Sequence, residues 1–320
     1  MVTATNLRTG RQVALLAAVQ AALGTPQTAF ASSPVFWTHS TEMPVSPKKT
    51  DDTWMAETVG PAPEERTNIG DRPLGRIVSA VTPDALDLLL RSNWGPKVGS
   101  AYTLASQINE WLTLAWVEWA AAGNVGQVVR IQDAWVPRLV LRAEFPRGYL
   151  VAIATYMGRR ILPDAKGSGG LTFPASWSPE RNPVTVNAAA FVRDPAGLNV
   201  SLRIRELEIT LNQRPAAHEW DYADLLYSVV KAGPTDVRVH VRAEVSDETW
   251  ALITDARAGT MRQFRFTAFA QSPAKTLTVT FNNLDFEFEE LGHDGKDMRE
   301  IVADGRAHLD AGELATISIT

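Results

Sequence analysis

Apolar and polar residues alternate along most of this chain, which is the pattern of a half-buried β-strand. Val237, Val239 and Val241 fall on one face of a predicted strand, and Arg238 and Arg242 fall on the other. Similar alternation recurs elsewhere, so the sequence predicts a mainly β protein. The other alternating segments are 138–145 and 149–156, which predict a hairpin closed by residues 146–148, together with 200–211 and 314–320.

Two predicted strands change phase in the middle. In the segment 275–291 the apolar residues are odd-numbered before Asn282 and Asn283, and even-numbered after them. This pattern has two interpretations: a β-bulge that turns the apolar row toward a new packing partner, or a hairpin turn at the two asparagines. A similar slip occurs in 200–211, between Ile204 and Leu207. The apolar positions of 275–291 are Leu277, Val279, Phe281, Leu284, Phe286 and Phe288.

Only two helices have clear start signals. Thr82 offers an N-cap hydroxyl, Pro83 suits the first helical position, and Asp84 complements the positive end of the helix dipole. Ser246 and the acidic residues after it provide the same signal before a second helix. Each predicted helix directly follows a predicted strand.

The surroundings of the two helices indicate an internal duplication. After each helix come two strands around a turn, and polar neighbours interrupt the second strand of each pair. Aligning Val129 with Val279 gives an offset of 150 residues (279 minus 129), and aligning Thr82 with Ser246 gives 164 (246 minus 82). The difference of 14 residues fits an insertion at 95–108.

Two segments lack periodicity and are typical of loops. Residues 162–184 are rich in Gly, Pro and Ser, and we interpret them as an exposed linker or long loop between the repeated units. We therefore predict one unit at 1–165, a linker at 166–184 and a second unit at 185–320. Residues 43–75 form a loop too long for an idle connection, which favours a functional role.

Composition narrows the function. The 320 residues are 45% hydrophobic, enough for a sizeable core, and contain no cysteine, which excludes disulfides and thiolate sites. The net charge of -5 argues against tight binding to a phosphate backbone. The acid is concentrated late: residues 285–313 hold 10 acidic and 3 basic residues, a local charge of -7.

Catalytic and metal signals are missing from the sequence. The five histidines lack metal-ligand spacing, and no nucleophile elbow or phosphate-binding loop occurs. His293 and Asp294 fit a polar turn better than an acid–base pair. We expect no enzyme activity, no cofactor and no metal. Four tryptophans offer either a sugar-binding surface or ordinary core residues: Trp111, Trp116, Trp119 and Trp135.

No apolar run reaches the length of a membrane span, so we expect no membrane partner. The segment 8–33 has the basic start and apolar middle of a secretory signal. Gln20 interrupts its apolar part, and a Gly-Thr-Pro turn follows at residue 24. We expect this segment to be retained.

The order of these features resembles the tail tube proteins of long-tailed bacteriophages. The resemblance covers most of the chain: "VALLAAVQAALGTPQ" followed by "PVFWTHSTEMP", then the strand and proline-capped helix in "GRIVSAVTPDALDLLLRS". The C-terminal part has a strand, "LTVTFNNLDFEFEE", a Gly-Asp-rich turn, and a predicted hairpin in "ADGRAHLDAGELATISIT". None of these is a diagnostic motif; their order and spacing carry the similarity.

The resemblance implies a β-sandwich flanked by a helix, whose strands join those of neighbouring subunits into a β-barrel ring. Stacked rings form a hollow tube in the virion tail, assembled from protein made in the host bacterial cytoplasm. Implied partners are further copies of the chain, the tape measure protein, transient double-stranded DNA, the tail terminator and the baseplate or distal tail proteins. The N-terminal arm and loop 43–75 are the predicted inter-ring contacts, with candidate residues Lys48, Lys49, Asp51, Asp52 and Trp54.

Duplication affects the expected symmetry. Single-module tube proteins usually form hexameric rings, so a chain with two modules favours a trimer with pseudo-sixfold symmetry, with a hexamer as the alternative. We expect Asp285, Glu287 and Glu289 to line the channel, where carboxylates repel phosphate and let DNA slide. The aligned positions 135 and 137 are Trp and Pro, so the two modules differ there.

Two other functions remain as alternatives. One is a different phage structural protein with similar β modules, either a capsid decoration protein or a tail terminator. The other is a secreted carbohydrate-binding β-sandwich protein that uses the tryptophans.

Overall fold

A computed structural model describes residues 13–41, 49–51, 66–68, 73–104, 110–120, 124–144, 148–164, 170–175, 182–193, 200–221, 226–271, 274–292, 300–310 and 312–320. Antiparallel strands dominate this part of the chain, and two helices interrupt them. The predicted mainly β class is confirmed. Within the described ranges the sheet is not closed on itself.

Among the described residues, eleven strands and one helix lie between residues 13 and 164. They are β1 (Val13–Val19), β2 (Trp37–Thr41), β3 (Lys49–Asp51), β4 (Arg66–Asn68), β5 (Leu74–Ala80), α1 (Pro83–Asn93), β6 (Lys97–Val98), β7 (Ala101–Tyr102), β8 (Leu112–Ala120), β9 (Asn124–Glu144), β10 (Val151–Met157) and β11 (Arg160–Asp164).

Eight further strands and the second helix follow from residue 185. They are β12 (Thr185–Arg193), β13 (Val200–Ser201), β14 (Ile204–Asp221), β15 (Leu226–Glu244), α2 (Asp247–Arg257), β16 (Arg262–Gln271), β17 (Ala274–Gly292), β18 (Glu300–His308) and β19 (Thr316–Ile319).

Strand β9 changes partners in its middle. Its first part pairs with β8 and β11, and its second part pairs with β10 and β14. The change occurs at Asp133, whose φ of 51° lies in the left-handed region. The buried Asp133 carboxylate accepts hydrogen bonds from Gln20 Nε2 at 2.6 Å and from the main-chain N of Gly24 at 2.9 Å. Gln20 Oε1 in turn accepts a bond from the main-chain N of Asp133 at 2.7 Å.

Eight strands lie side by side in one continuous run of the sheet. The run begins at β2 and ends at the second part of β17, and every neighbouring pair is antiparallel. Its order is β2, β5, β10, the second part of β9, β14, β15, β18 and the second part of β17.

The phase change in 275–291 is a bulge in one long strand. Before it, β17 pairs with β16 and β19, and after it β17 pairs with β18. The β16–β17 register shifts between Phe264–Phe281 and Arg262–Leu284, so Asn282 and Asn283 oppose a single residue. The alternative of a hairpin turn at the asparagines is wrong. The slip in 200–211 likewise coincides with a register shift, between Ile204 and Glu206.

Both predicted helix starts are confirmed, but only one hydroxyl caps its helix. Ser246 Oγ accepts a hydrogen bond from the main-chain N of Thr249, and the Thr249 side chain accepts one from the main-chain N of Ser246. Thr82 occupies the N-cap position of α1, yet its hydroxyl makes no capping bond. The prediction that Thr82 caps through its hydroxyl is therefore wrong, although Pro83 begins the helix as expected.

The core lies on one face of the eight-strand run and under α1. Val237, Val239 and Val241 are buried as the alternation predicts, and so are Trp94 and Trp135. The signal-like segment also belongs to the packed fold, because β1 pairs along its whole length with β8.

The insertion at 95–108 contains the short hairpin of β6 and β7, which is tied to one side of α1. Asp87 accepts a hydrogen bond from Tyr102 Oη at 2.6 Å and pairs with Lys97 Nζ at 3.1 Å. Burial raises the pKa of Tyr102, and the hydrogen bond to Asp87 raises it further. Strand β7 then pairs with β19, which ties this hairpin to the C-terminal strand.

Two other expectations need correction. The hairpin predicted for residues 303–320 is not formed by β18 and β19, because both strands pair with β17. Between them, Asp310 and Glu313 form a single antiparallel bridge. The segment 162–184 is not simply exposed: Phe173 stacks on Phe30 at a ring distance of 6.3 Å, and Val184 is buried.

Candidate functional site

The eight-strand run has a polar face opposite its core face. Along β15 this face carries Arg238, His240, Arg242 and Glu244, and the valines between them point into the core. Because adjacent strands are in register, polar side chains form rows across the sheet. One such row consists of Arg142, Glu208, His240, Asp304 and Glu287.

The predicted channel-lining acids lie on the last strand of this run. Asp285 is half-buried opposite Arg306, and Glu287 is exposed opposite Asp304. Phe286 between them is buried, so the two carboxylates share the polar face. The main chain of Glu289 belongs to β17, but its side chain lies outside the described residues.

The polar face is not purely acidic, because arginines alternate with the carboxylates. Arg142 Nη2 lies 2.8 Å from Glu206, Arg205 Nη2 lies 2.9 Å from Glu244, and Arg238 Nε lies 2.8 Å from Asp236. Exposed pairs of this kind add little stability, about 0–1 kcal/mol each. Their effect is electrostatic: each carboxylate offsets the positive charge of its neighbour along the sheet. Further pairs on this face are Arg142 with Glu144, Arg205 with Glu300, Arg242 with Glu300, Arg306 with Asp236, and His240 with Asp304.

The run has an open edge at each end. Strand β2 pairs with β5 on one side only, and beyond Leu284 strand β17 pairs with β18 on one side only, as far as the described residues extend. An open edge presents unpaired main-chain N–H and C=O groups, which can pair with a strand of another chain.

The tryptophans proposed for sugar binding do not form a surface. Trp116 and Trp135 are buried in the core. Trp116 Nε1 donates a hydrogen bond to Thr41 Oγ1 at 3.0 Å, and its ring packs against Tyr156. Trp111 is half-buried, and the side chain of Trp119 lies outside the described residues.

Part of the predicted inter-ring loop forms β-structure. Lys49 and Asp51 belong to β3, which pairs with β4 as a separate two-stranded sheet. Lys48, Asp52 and Trp54 lie outside the described residues, as do His293 and Asp294.

Within the described ranges, no cluster of three or more His, Asp or Glu side chains is arranged to hold a metal ion. Neither of the two helices found there has the length and apolar character needed to span a membrane. Neither a protein-family profile nor a curated protein matches this sequence.

The sequence predicts that Asp285 and Glu287 share a polar face, but it does not predict the ion pairs that neighbouring strands bring to that face. The sequence does place two of the paired arginines on the polar face, because Arg238 and Arg242 alternate with valines that are buried. Arg306 also alternates with small buried residues. The hairpin predicted for its segment does not place Arg306 opposite Asp285, where the structure has it.

Proposed function

We propose that this chain is the structural subunit of a phage tail tube, with no catalytic role. In this proposal the chain holds two tandem modules, and three copies form a ring with pseudo-sixfold symmetry. Stacked rings enclose a channel through which double-stranded DNA reaches the host. The proposal combines the sequence resemblance with the pattern of strand pairing and the open edges.

A repeated register supports two equivalent modules. The hairpins β8–β9 and β16–β17 each contain a register shift between two residue pairs. Each of the four residues in the first hairpin lies 150 positions before its counterpart in the second (262 minus 112, for example). Unrelated hairpins have no reason to share such a defect at one fixed offset. The pairs are Leu112–Ala134 and Leu114–Ile131 in the first, and Arg262–Leu284 and Phe264–Phe281 in the second.

The strands that precede the two hairpins in the sequence also share a register defect. Strand β2 on β5 and strand β14 on β15 both skip one residue at the start of their pairing. Helices α1 and α2 begin 164 residues apart (247 minus 83) and have the same length of 11 residues. Strands β5 and β15 also end against matching partners. At the skipped residue, Thr38–Ser79 and Ser40–Val78 in the first module correspond to Ile204–Ala243 and Glu206–Arg242 in the second. At the strand ends, Ala80–Val151 corresponds to Glu244–Glu300.

The open edges are the observation that carries the proposal. In the first module the second part of β9 pairs with β14, which is the first strand that the second module contributes to the eight-strand run. The corresponding part of β17 has no such neighbour within the described residues, and the strand equivalent to β14 is β2 at the opposite edge. A second copy that presents β2 to β17 would therefore repeat a junction already made inside the chain. Such head-to-tail contacts generate rings when the rotation closes.

The strand count fits a trimer. Each module contributes four strands to the run, so one chain contributes eight and three chains contribute 24 (three times eight). A hexamer of single modules would contain the same number. With the second module acting as an extra subunit, three chains suffice for a sixfold arrangement.

The polar face suits the wall of a DNA channel. An unpaired cation on the wall would add a favourable phosphate contact that the moving DNA must break. Arg76 and Arg138 are exposed on the polar face and have no ion pair within the described residues. Arg142, Arg205 and Arg238 have carboxylates within about 3 Å along the sheet. We propose that Asp285, Glu287 and Glu289 face the channel together with these pairs. In this proposal the partners of the tube are the tape measure protein, the tail terminator and the distal tail proteins.

Electron microscopy of the purified full chain tests the assignment. We expect long hollow tubes, and class averages viewed down the tube should show six similar lobes with true threefold symmetry. Single closed rings that never stack would favour the tail terminator alternative. A chain that remains monomeric at high concentration and at every salt concentration would overturn the proposal.

We also predict that reversing a charge on the polar face makes the tube retain DNA. Glu287→Lys places three new cations in each ring, and we expect short duplex DNA to bind open-ended tubes at least about tenfold more tightly at low salt. Fluorescence anisotropy of labelled duplex measures the affinity, which should weaken as salt rises. The matched control is Asp84→Lys, because Asp84 is exposed on α1. Equal DNA binding by the two variants would contradict a channel location for Glu287.

A further inference from the structure

Helices α1 and α2 are equivalent in position but differ sharply in burial. Eight of the eleven residues of α1 are buried, among them Leu86, Leu89 and Leu90. In α2 the buried residues with described side chains are Thr249, Leu252 and Ile253. A helix that leaves much of its surface in solvent, in a position where its counterpart is covered, suggests a missing neighbour.

Strand β14 covers the C-terminal end of α1. Asn93 Nδ2 donates hydrogen bonds to the main-chain oxygens of Val136 at 2.9 Å and Leu211 at 3.4 Å. Gln213 Nε2 donates to the main-chain oxygen of Trp94 at 3.5 Å. Leu211 and Gln213 belong to β14, the first strand of the following unit in the eight-strand run. The β6–β7 hairpin, which has no counterpart among the described residues after α2, contacts the adjoining side of α1 at Asp87 and provides another part of the cover.

Four positions of α2 that correspond to buried positions of α1 are exposed, and two of them match the Asn93 and Trp94 that β14 covers. With the offset of 164 given by the helix starts (247 minus 83), Leu86, Leu90, Asn93 and Trp94 correspond to Trp250, Thr254, Arg257 and Ala258. The first four are at most 1% exposed, whereas the second four are all exposed, with Trp250 at 46%. We call Trp250, Thr254, Arg257 and Ala258 the open face of α2.

We infer that the open face of α2 binds a second copy of this chain, through the side of that copy that carries β2. The inference rests on the proposed function, because β2 is the strand equivalent to β14. The chemistry of the open face fits this occupant: Arg257 offers N–H donors where Asn93 donates to strand carbonyl oxygens, and Trp250 offers a large apolar surface to cover. A single exposed tryptophan is ordinary on a protein surface, so the argument depends on the four matched positions together.

Cysteine protection tests this interface, because the chain contains no cysteine of its own. The variant Thr254→Cys carries one thiol on the open face, and the control Asp84→Cys carries one on the exposed side of α1. Maleimide labelling is followed in assembled tubes and in the unassembled chain. We expect assembly to slow labelling of Thr254→Cys by about tenfold or more and labelling of Asp84→Cys by less than about twofold, because a thiol reacts only when it is accessible.

The outcomes separate the interface from the function. If tubes form and both thiols label at unchanged rates, the interface inference is overturned and the tube proposal stands. If no assembly forms under any condition, both fall. A second variant, Thr254→Trp, supplies an independent readout: we expect a wild-type melting temperature but monomeric sedimentation. Tube formation by Thr254→Trp at the wild-type concentration would also count against the interface.

Discussion

Replacing Asp255 by alanine is expected to lower the free energy of unfolding by about 3–5 kcal/mol, the usual cost of removing one partner of a buried ion pair. Asp255 lies on α2 and accepts a hydrogen bond from Arg193 Nε at 3.0 Å, and its side chain is 14% exposed. Arg193, at the end of β12, is also buried. Without the carboxylate, Arg193 keeps its charge in a place where little water can solvate it. Chemical denaturation followed by circular dichroism measures the loss.

Two controls distinguish the buried pair from the exposed one. Arg262 also contacts Asp255, at 3.2 Å, but its side chain is 41% exposed, so Arg262→Ala should cost less than about 1 kcal/mol. The double variant with Arg193→Leu and Asp255→Leu removes both charges and should recover most of the lost stability. If Asp255→Ala unfolds within about 1 kcal/mol of the wild type, the pair does not hold α2 in place.

Replacing Asp133 by alanine is expected to cost about 2–4 kcal/mol. The carboxylate holds Gln20 Nε2 and the main-chain N of Gly24, and buried donors that lose their acceptor cost about 1–3 kcal/mol. Alanine also tolerates a positive φ poorly, which adds about 1 kcal/mol or more. Asp133 marks the point where β9 changes partners. We therefore also expect the variant to lose protection from hydrogen exchange first around this bend.

Asp133→Asn is the matched control. Asparagine keeps one side-chain oxygen as an acceptor and adopts positive φ more readily than other residues with a side chain. Its loss of stability should therefore be smaller, about 1 kcal/mol. Equal losses for the alanine and asparagine variants would show that the charge, rather than the backbone conformation and the acceptor, dominates at this site.

The faces of individual strands could be predicted because alternation is a local property of the sequence. The valines of β15 and both phase slips, at Ile204 and at Asn282, follow directly from which residues are apolar. A one-residue slip moves every side chain to the other face, so a buried sheet face constrains the pattern strongly. For the same reason Asp285 and Glu287 could be assigned to one polar face.

The partners of each strand could not be predicted in the same way. Nothing in the residues of β14 specifies β9 as its neighbour, and nothing in β19 specifies β7, because such pairings depend on how distant parts of the chain pack. The ion pairs of the polar face therefore could not be predicted, because the face of a residue on its own strand does not show which strand lies beside it. Helix capping shows a similar limit: Thr82 and Ser246 carry the same signal, but only the Ser246 hydroxyl reaches a main-chain N–H.

The pairing of β7 with β19 joins Tyr102 to Ile317, two residues that are far apart in the sequence. During translation the ribosome releases β7 long before β19 exists, so a nascent chain leaves this part of the sheet unfinished. Contacts of such long sequence separation also make folding slow. We therefore expect the fold to be completed only after synthesis of the C-terminal strand, which would delay any association between chains until each one is whole.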